Sequence, residues 1–191
     1  MSRLFLALKL PTEAQKKIVE IRNTVFPPEI YNYKWEPEDK FHLTLKFIGE
    51  FRDNNIDELI KSINFIEDYP EVNFYFNKLG LFFRNNIPTI LWIGMQVDDY
   101  LQTLVLKIEK SLEKFNVLPE KRIFKPHITL LRIKENMDQN FVNKVTNYKI
   151  QPNKFCSNEI ALIKSKLTPT GSIYTDLNIY KLKAFEGINE Y

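Results

Sequence analysis

The sequence predicts an α+β protein of two similar lobes that face each other across a groove, with helices on the outer faces. Three observations carry this. Period-2 and period-3.6 apolar patterns interleave along the 191 residues. Each half of the chain holds one apolar strand-like segment that begins with the same pattern, His42-Leu43-Thr44-Leu45 and His127-Ile128-Thr129-Leu130. No Gly/Ser-rich linker divides the halves, so residues 1–191 are expected to form one two-lobed domain.

The elements follow in order. Arg3 to Lys9 reads as a strand. Thr12-Glu13-Ala14-Gln15 has the capping-box pattern, and Ala14, Ile18, Ile21 and Val25 continue at helical spacing until Pro27-Pro28. Phe41 to Ile48 is the first motif strand, stopped by Gly49. Ile56, Leu59, Ile60, Ile63 and Ile66 mark a second helix, closed near Pro70. Val72–Phe83 and Thr89–Val97 read as strands around an Asn85-Asn86 turn. Leu101, Leu104, Ile108, Leu112 and Phe115 give a third helix. Ile128 to Ile133 is the second motif strand, and Phe141 to Tyr148 a short helix. Ile160–Leu167 and Ser172–Leu182 form a closing hairpin across Thr168-Pro169-Thr170-Gly171.

Composition narrows the function. The net charge of +3 argues only weakly for an anionic ligand, and no charge block or basic tail is present. Cys156 is the only cysteine, which excludes an intrachain disulfide or a thiolate cluster and leaves it as a small buried hydrophobe. The apolar start is short and interrupted by Lys9, unlike a signal peptide or membrane span. A monomer in a reducing, cytoplasmic setting is expected.

The two histidines are the only ones in the chain. Imidazole exchanges protons near neutrality, so two on one wall supply a general acid and a general base for one reaction. In extended chain, residues two apart share a face, so each threonine hydroxyl stands beside its imidazole as a hydrogen-bond donor. With 5 glycines there is no phosphate-cradling loop, and no Gly-x-Ser-x-Gly elbow or His-Glu-x-x-His spacing occurs. No metal and no cofactor is expected. A ribose 2′,3′-cyclic phosphate suits such a pair: one histidine deprotonates water and the other protonates the departing ribose oxygen. The residues alone do not say which is which.

Several segments together carry a resemblance. Lys34-Trp35-Glu36-Pro37, Phe41 to Glu50 (FHLTLKFIGE), and Pro126-His127-Ile128-Thr129-Leu130-Leu131-Arg132 resemble the two-histidine phosphoesterase superfamily. Within it they are most similar to the RNA 2′,3′-cyclic phosphodiesterases, also called 2′-5′ RNA ligases. Arg3 to Leu8, Leu79 to Phe82, Leu91 to Gly94 and Ser165 to Tyr174 extend the match over nearly the whole chain. The resemblance implies two antiparallel sheets framing a central cleft, and metal-independent opening of RNA or nucleotide 2′,3′-cyclic phosphate ends to 2′-phosphates. It also implies His42 as proton donor to the leaving 3′ oxygen, His127 as acceptor from water, and Thr44 and Thr129 on the phosphoryl oxygens.

The phosphate-holding cation stays open. The family pattern points to Arg132, whereas strict alternation puts Lys46 and Lys125 on the histidine faces and Arg132 on the opposite one, unless a bulge after Leu130 turns it inward. Phe47 and Trp35 are candidates for stacking on a base, or else core residues. Three other functions compete: a nucleotide-binding module of this fold without turnover, a phosphodiesterase for another cyclic phosphate such as ADP-ribose 1″,2″-cyclic phosphate, and a structural interaction domain.

Overall fold

The computed structural model describes residues 1–134, 137–169 and 171–184. In chain order the elements are β1 (Ser2–Lys9), α1 (Thr12–Val25), β2 (His42–Phe51), α2 (Ile56–Ser62), β3 (Val72–Arg84), β4 (Ile87–Val97), α3 (Tyr100–Leu112), β5 (His127–Arg132), α4 (Gln139–Asn147), β6 (Phe155–Ser157), β7 (Glu159–Thr168) and β8 (Gly171–Lys181). The strands form two antiparallel sheets, ordered β2-β1-β7-β8 and β5-β4-β3-β6. This is the bilobal α+β fold the patterns predict, and each motif strand is the edge of its own sheet.

The lobes are not the two halves of the chain. The first sheet is completed by the C-terminal hairpin, whose strand β7 pairs with β1. Local periodicity carries no information on that pairing. The β3–β4 hairpin turns at Asn85 and Asn86, with φ of 50° and 63°, the left-handed pair a two-residue turn needs. Of the β7–β8 turn, Thr170 lies outside the described residues.

Alternation along β1 sets the two faces. Leu4, Leu6 and Leu8 join the main core with Ile18 and Ile21 of α1, Phe74 and Phe76 of β3, and Leu104 and Ile108 of α3. Phe5 and Ala7 point the other way, packing with Ala161, Ile163 and Tyr174. The helices therefore cover one face of each sheet and leave the other to the cleft.

Four local expectations are corrected. The capping box does not form: Pro11, in extended conformation, takes the cap position, and the Ala14 and Gln15 amides donate to its carbonyl at 3.0 and 3.1 Å. Thr12 is already helical, and the Gln15 side chain donates to the Leu10 carbonyl instead. The second helix breaks at Ile63 and continues as a 3₁₀ segment, Asn64–Asp68. Strand β2 runs past Gly49, which adopts φ 82° at a bulge rather than ending the strand. Cys156 is exposed, because the short strand β6 alternates and turns Phe155 and Ser157 inward. Trp35 packs on Phe26 and Tyr33 with the Arg22 guanidinium 5.6 Å above its ring, so its face is occupied.

Candidate active site

Both motif strands carry a bulge one residue after the threonine. In the β1–β2 pair, Ala7 opposes Thr44 and the next pairing is Leu6 with Lys46, leaving Leu45 extra. In the β4–β5 pair, Trp92 opposes Thr129 and the next pairing is Leu91 with Leu131, leaving Leu130 extra. An inserted residue reverses the alternation beyond it. Leu45 and Lys46 both turn inward, as do Leu130 and Leu131. Phe47 then rejoins the face of His42 and Thr44, and Arg132 the face of His127 and Thr129.

The bulges place each candidate. Phe47 is 52 % exposed and its ring lies 5.7 Å from Phe5 on the cleft face. Arg132 is exposed, and its charge acts on His42 and Tyr174 of the opposite lobe. Its Nε donates to Glu36 Oε1 at 3.1 Å, and the guanidinium carries four further Nη–H donors. Glu36 is held beside β5 by its own amide, which donates to the Leu130 carbonyl. Lys46 does not reach the cleft, which overturns the face that strict alternation gave it. It is 2 % exposed and its Nζ is bonded to Glu109. Lys125 precedes β5 and is exposed.

The histidines are held alike. His42 Nδ1 is 2.7 Å from the Lys40 carbonyl, and His127 Nδ1 is 2.7 Å from the Lys125 carbonyl. A carbonyl only accepts, so each Nδ1 carries the proton and each neutral ring keeps its Nε2 lone pair for chemistry. Aromatic walls fix the rings. Phe5 and Tyr174 lie 5.0 and 5.6 Å from His42; Phe82 and Trp92 lie 5.0 and 6.1 Å from His127. Thr44 and Thr129 are half-buried on the same faces, and β2 lies against β5.

Burial holds the His42 imidazole below its ordinary value of 6.5. The Lys40 hydrogen bond pulls it up, and the positive charges of Lys9 and Arg132 push it further down. A pocket of about 430 Å³ opens beside His42, lined among others by Lys9, Lys40, Ser172, Tyr174 and Asp176. Lys9 and Asp176 are paired across it at 2.9 Å. Phe5, Tyr174 and Lys9 were not candidates from the sequence. Phe5 and Tyr174 stand in matching segments, but only the sheet order brings them to His42. Among the described residues no group of three or more His, Cys, Asp or Glu is placed to hold a metal ion.

The wall behind His127 has a strict seat. A Cβ on Gly80 would overlap the six-membered ring of Trp92. Gly80→Ala should displace the indole from His127 and destabilise the protein by about 1–3 kcal/mol, the usual cost of overpacking. Urea unfolding measures this; an unchanged midpoint would show that the indole has another place to go.

Paired His-x-Thr strands on two facing antiparallel sheets define a two-histidine phosphoesterase. The family model of LigT-like phosphoesterases matches the chain twice in succession, over residues 8–92 and 93–174, each match containing one motif. The chain belongs to this family. It is 28 % identical over 173 residues to a Thermotoga maritima protein named RNA 2′,3′-cyclic phosphodiesterase, covering 90 % of this chain and 91 % of that one. An Aquifex aeolicus protein of the same name is 32 % identical over 149 residues, 74 % of this chain and 78 % of its own. The crystal structure of E. coli LigT complexed with 3′-AMP superposes with a TM-score of 0.73 at 26 % identity, over 95 % of this chain and 98 % of that one. The Thermus thermophilus protein TT0787 shares the fold, with a TM-score of 0.81 at 23 % identity over 96 % and 99 % of the two chains.

Proposed function

We propose that this phosphodiesterase opens 2′,3′-cyclic phosphates at RNA or nucleotide ends to 2′-phosphates, without a metal. The observation that carries the reading is the matched pair of imidazoles, each fixed as the Nδ1–H tautomer by a backbone carbonyl and each followed by a threonine on its own face. The names of the relatives point to the same substrates, and the complex of LigT with 3′-AMP shows a relative holding a nucleotide. In the forward step His127 Nε2 takes a proton from water as its oxygen bonds to phosphorus. The P–O3′ bond breaks, and His42 Nε2 gives its proton to O3′. The products are a 2′-phosphomonoester and a free 3′-hydroxyl, and one proton has passed from His42 to the ribose for each one His127 has gained.

The surroundings suit these roles. The substrate anion offsets the burial that disfavours a protonated His42. Thr44 and Thr129 donate to the non-bridging oxygens, and Arg132 brings a planar fork to the same charge. Phe47, with Phe5 beneath it, offers an exposed ring for a base. Lys125 adds positive potential at the edge of the cleft. Replacing water by an RNA 5′-hydroxyl, with both proton transfers kept, gives 2′-5′ ligation on the same groups.

Incubation of metal-stripped protein with 2′,3′-cyclic mononucleotides in a chelator should yield the 2′-phosphate, read by phosphorus NMR. A 3′-phosphate product, or activity only on adding Zn²⁺ or Mn²⁺, would overturn this reading.

A further inference from the structure

The two bulged strands differ in one inward residue. Leu131 of β5 is an ordinary apolar core side chain. Its counterpart in β2 is Lys46, an amine inside the protein. Burying an ammonium is costly unless it is paired and hydrogen-bonded, and an apolar residue of similar volume usually serves stability as well or better. Lys46 is paired with a carboxylate and a carbonyl. Its Nζ donates to Glu109 Oε1 at 2.8 Å and to the Leu118 carbonyl at 2.8 Å, with Glu120 Oε1 at 3.9 Å. Glu109 Oε1 also accepts the Glu120 amide at 2.9 Å.

These partners lie on the connection between two strands of the other sheet, although α3 itself packs against β2. Glu109 stands on α3, which connects β4 to β5, and Leu118 and Glu120 lie in the segment that leads into His127. Lys46 stands on β2, in the sheet of His42, directly after the bulge that turns Phe47 into the cleft. One buried ion pair thus ties the strand of one histidine to the approach to the other. An apolar side chain fills space in several registers, whereas this amine has a fixed set of acceptors at fixed distances.

We infer that the Lys46–Glu109 pair is a positioning device that sets the two histidine strands relative to each other. The inference rests on the reading in which His42 and His127 act on one phosphate. Proton transfer at both ends of one displacement requires both Nε2 atoms in place at once, and misplacement by about 1 Å is enough to cost on the order of 10²-fold in rate.

Two variants test it in the full chain with a 2′,3′-cyclic mononucleotide. Lys46→Met/Glu109→Leu removes both charges and keeps the volume, so the thermal midpoint should return to within a few degrees (roughly) of wild type. Its kcat should nevertheless fall about 10–100-fold, with KM changed by less than about threefold. Glu109→Asp keeps the charge but shortens its reach by one methylene; it should fold normally and lose about tenfold in kcat. The second variant decides the matter if the first does not fold. A wild-type kcat in a folded form of either would reduce the pair to a stability element and overturn the inference. His42→Ala run alongside separates the two claims: a normal rate there removes the paired-histidine reading itself, whereas a severe loss there with normal rates in the pair variants removes only the positioning role.

Discussion

His42→Ala and His127→Ala should each lower kcat by about 10²–10⁴, the range for losing one positioned acid or base. The environment of the rings makes the experiment clean. Each imidazole is anchored by one backbone carbonyl and by aromatic contacts, so truncation removes the proton relay without breaking a side-chain ion pair. The double variant should lose less than the product of the singles, because one histidine has little to do when its partner is absent. The pH dependence of kcat/KM assigns the roles. A variant that retains only the acceptor loses activity toward acid, and one that retains only the donor loses it toward alkali. His42→Ala should therefore keep the acidic limb alone, if His42 is the donor. In the wild type, the limb that belongs to His42 should fall below 6.5, since burial and the charges of Lys9 and Arg132 lower its pKa in the free protein. A wild-type rate in either single variant would sink the paired mechanism.

Much of this site was legible in the sequence, because the repeat of a rare residue in one pattern is visible without any structure. The strands and helices were legible for a related reason: their apolar periods are local. What was hidden is what depends on pairing. Strict alternation assigned Lys46 to the cleft and Arg132 away from it, and a bulge in each strand reverses both. A bulge leaves no local mark, since Leu45 and Leu130 are apolar residues suited to either register. Aligning the two motifs would have offered a clue. It sets Lys46 against the apolar Leu131, an inward position, and Phe47 against Arg132. The attachment of β7 and β8 to the first lobe was equally invisible, and with it the approach of Tyr174 to His42. The capping-box motif misled because Pro11 supplies an extended cap one residue earlier.

Arg132→Ala should reduce kcat by about 10²–10³ on a 2′,3′-cyclic nucleotide, the range for removing one preorganised group that stabilises transition-state charge. Arg132→Lys should recover part of the loss, because an ammonium restores the charge but not the planar fork that engages two phosphoryl oxygens. The pH profile gives a second readout. Arg132 lowers the His42 pKa, so its removal should move the His42 limb to higher pH, while lysine should hold the limb near its wild-type place. Lys125→Ala is the comparison. That side chain stands exposed ahead of β5, so its loss should weaken binding modestly, in a manner that added salt screens, and leave kcat within about threefold. Lys46 makes no direct contact in this scheme, since it is sealed against Glu109 on the far face of β2. If Arg132→Ala proves silent while Lys125→Ala is severely impaired, the cation that holds the phosphate comes from the approach to β5 rather than from the bulge within it, and the turn of Arg132 into the cleft has no part in the chemistry.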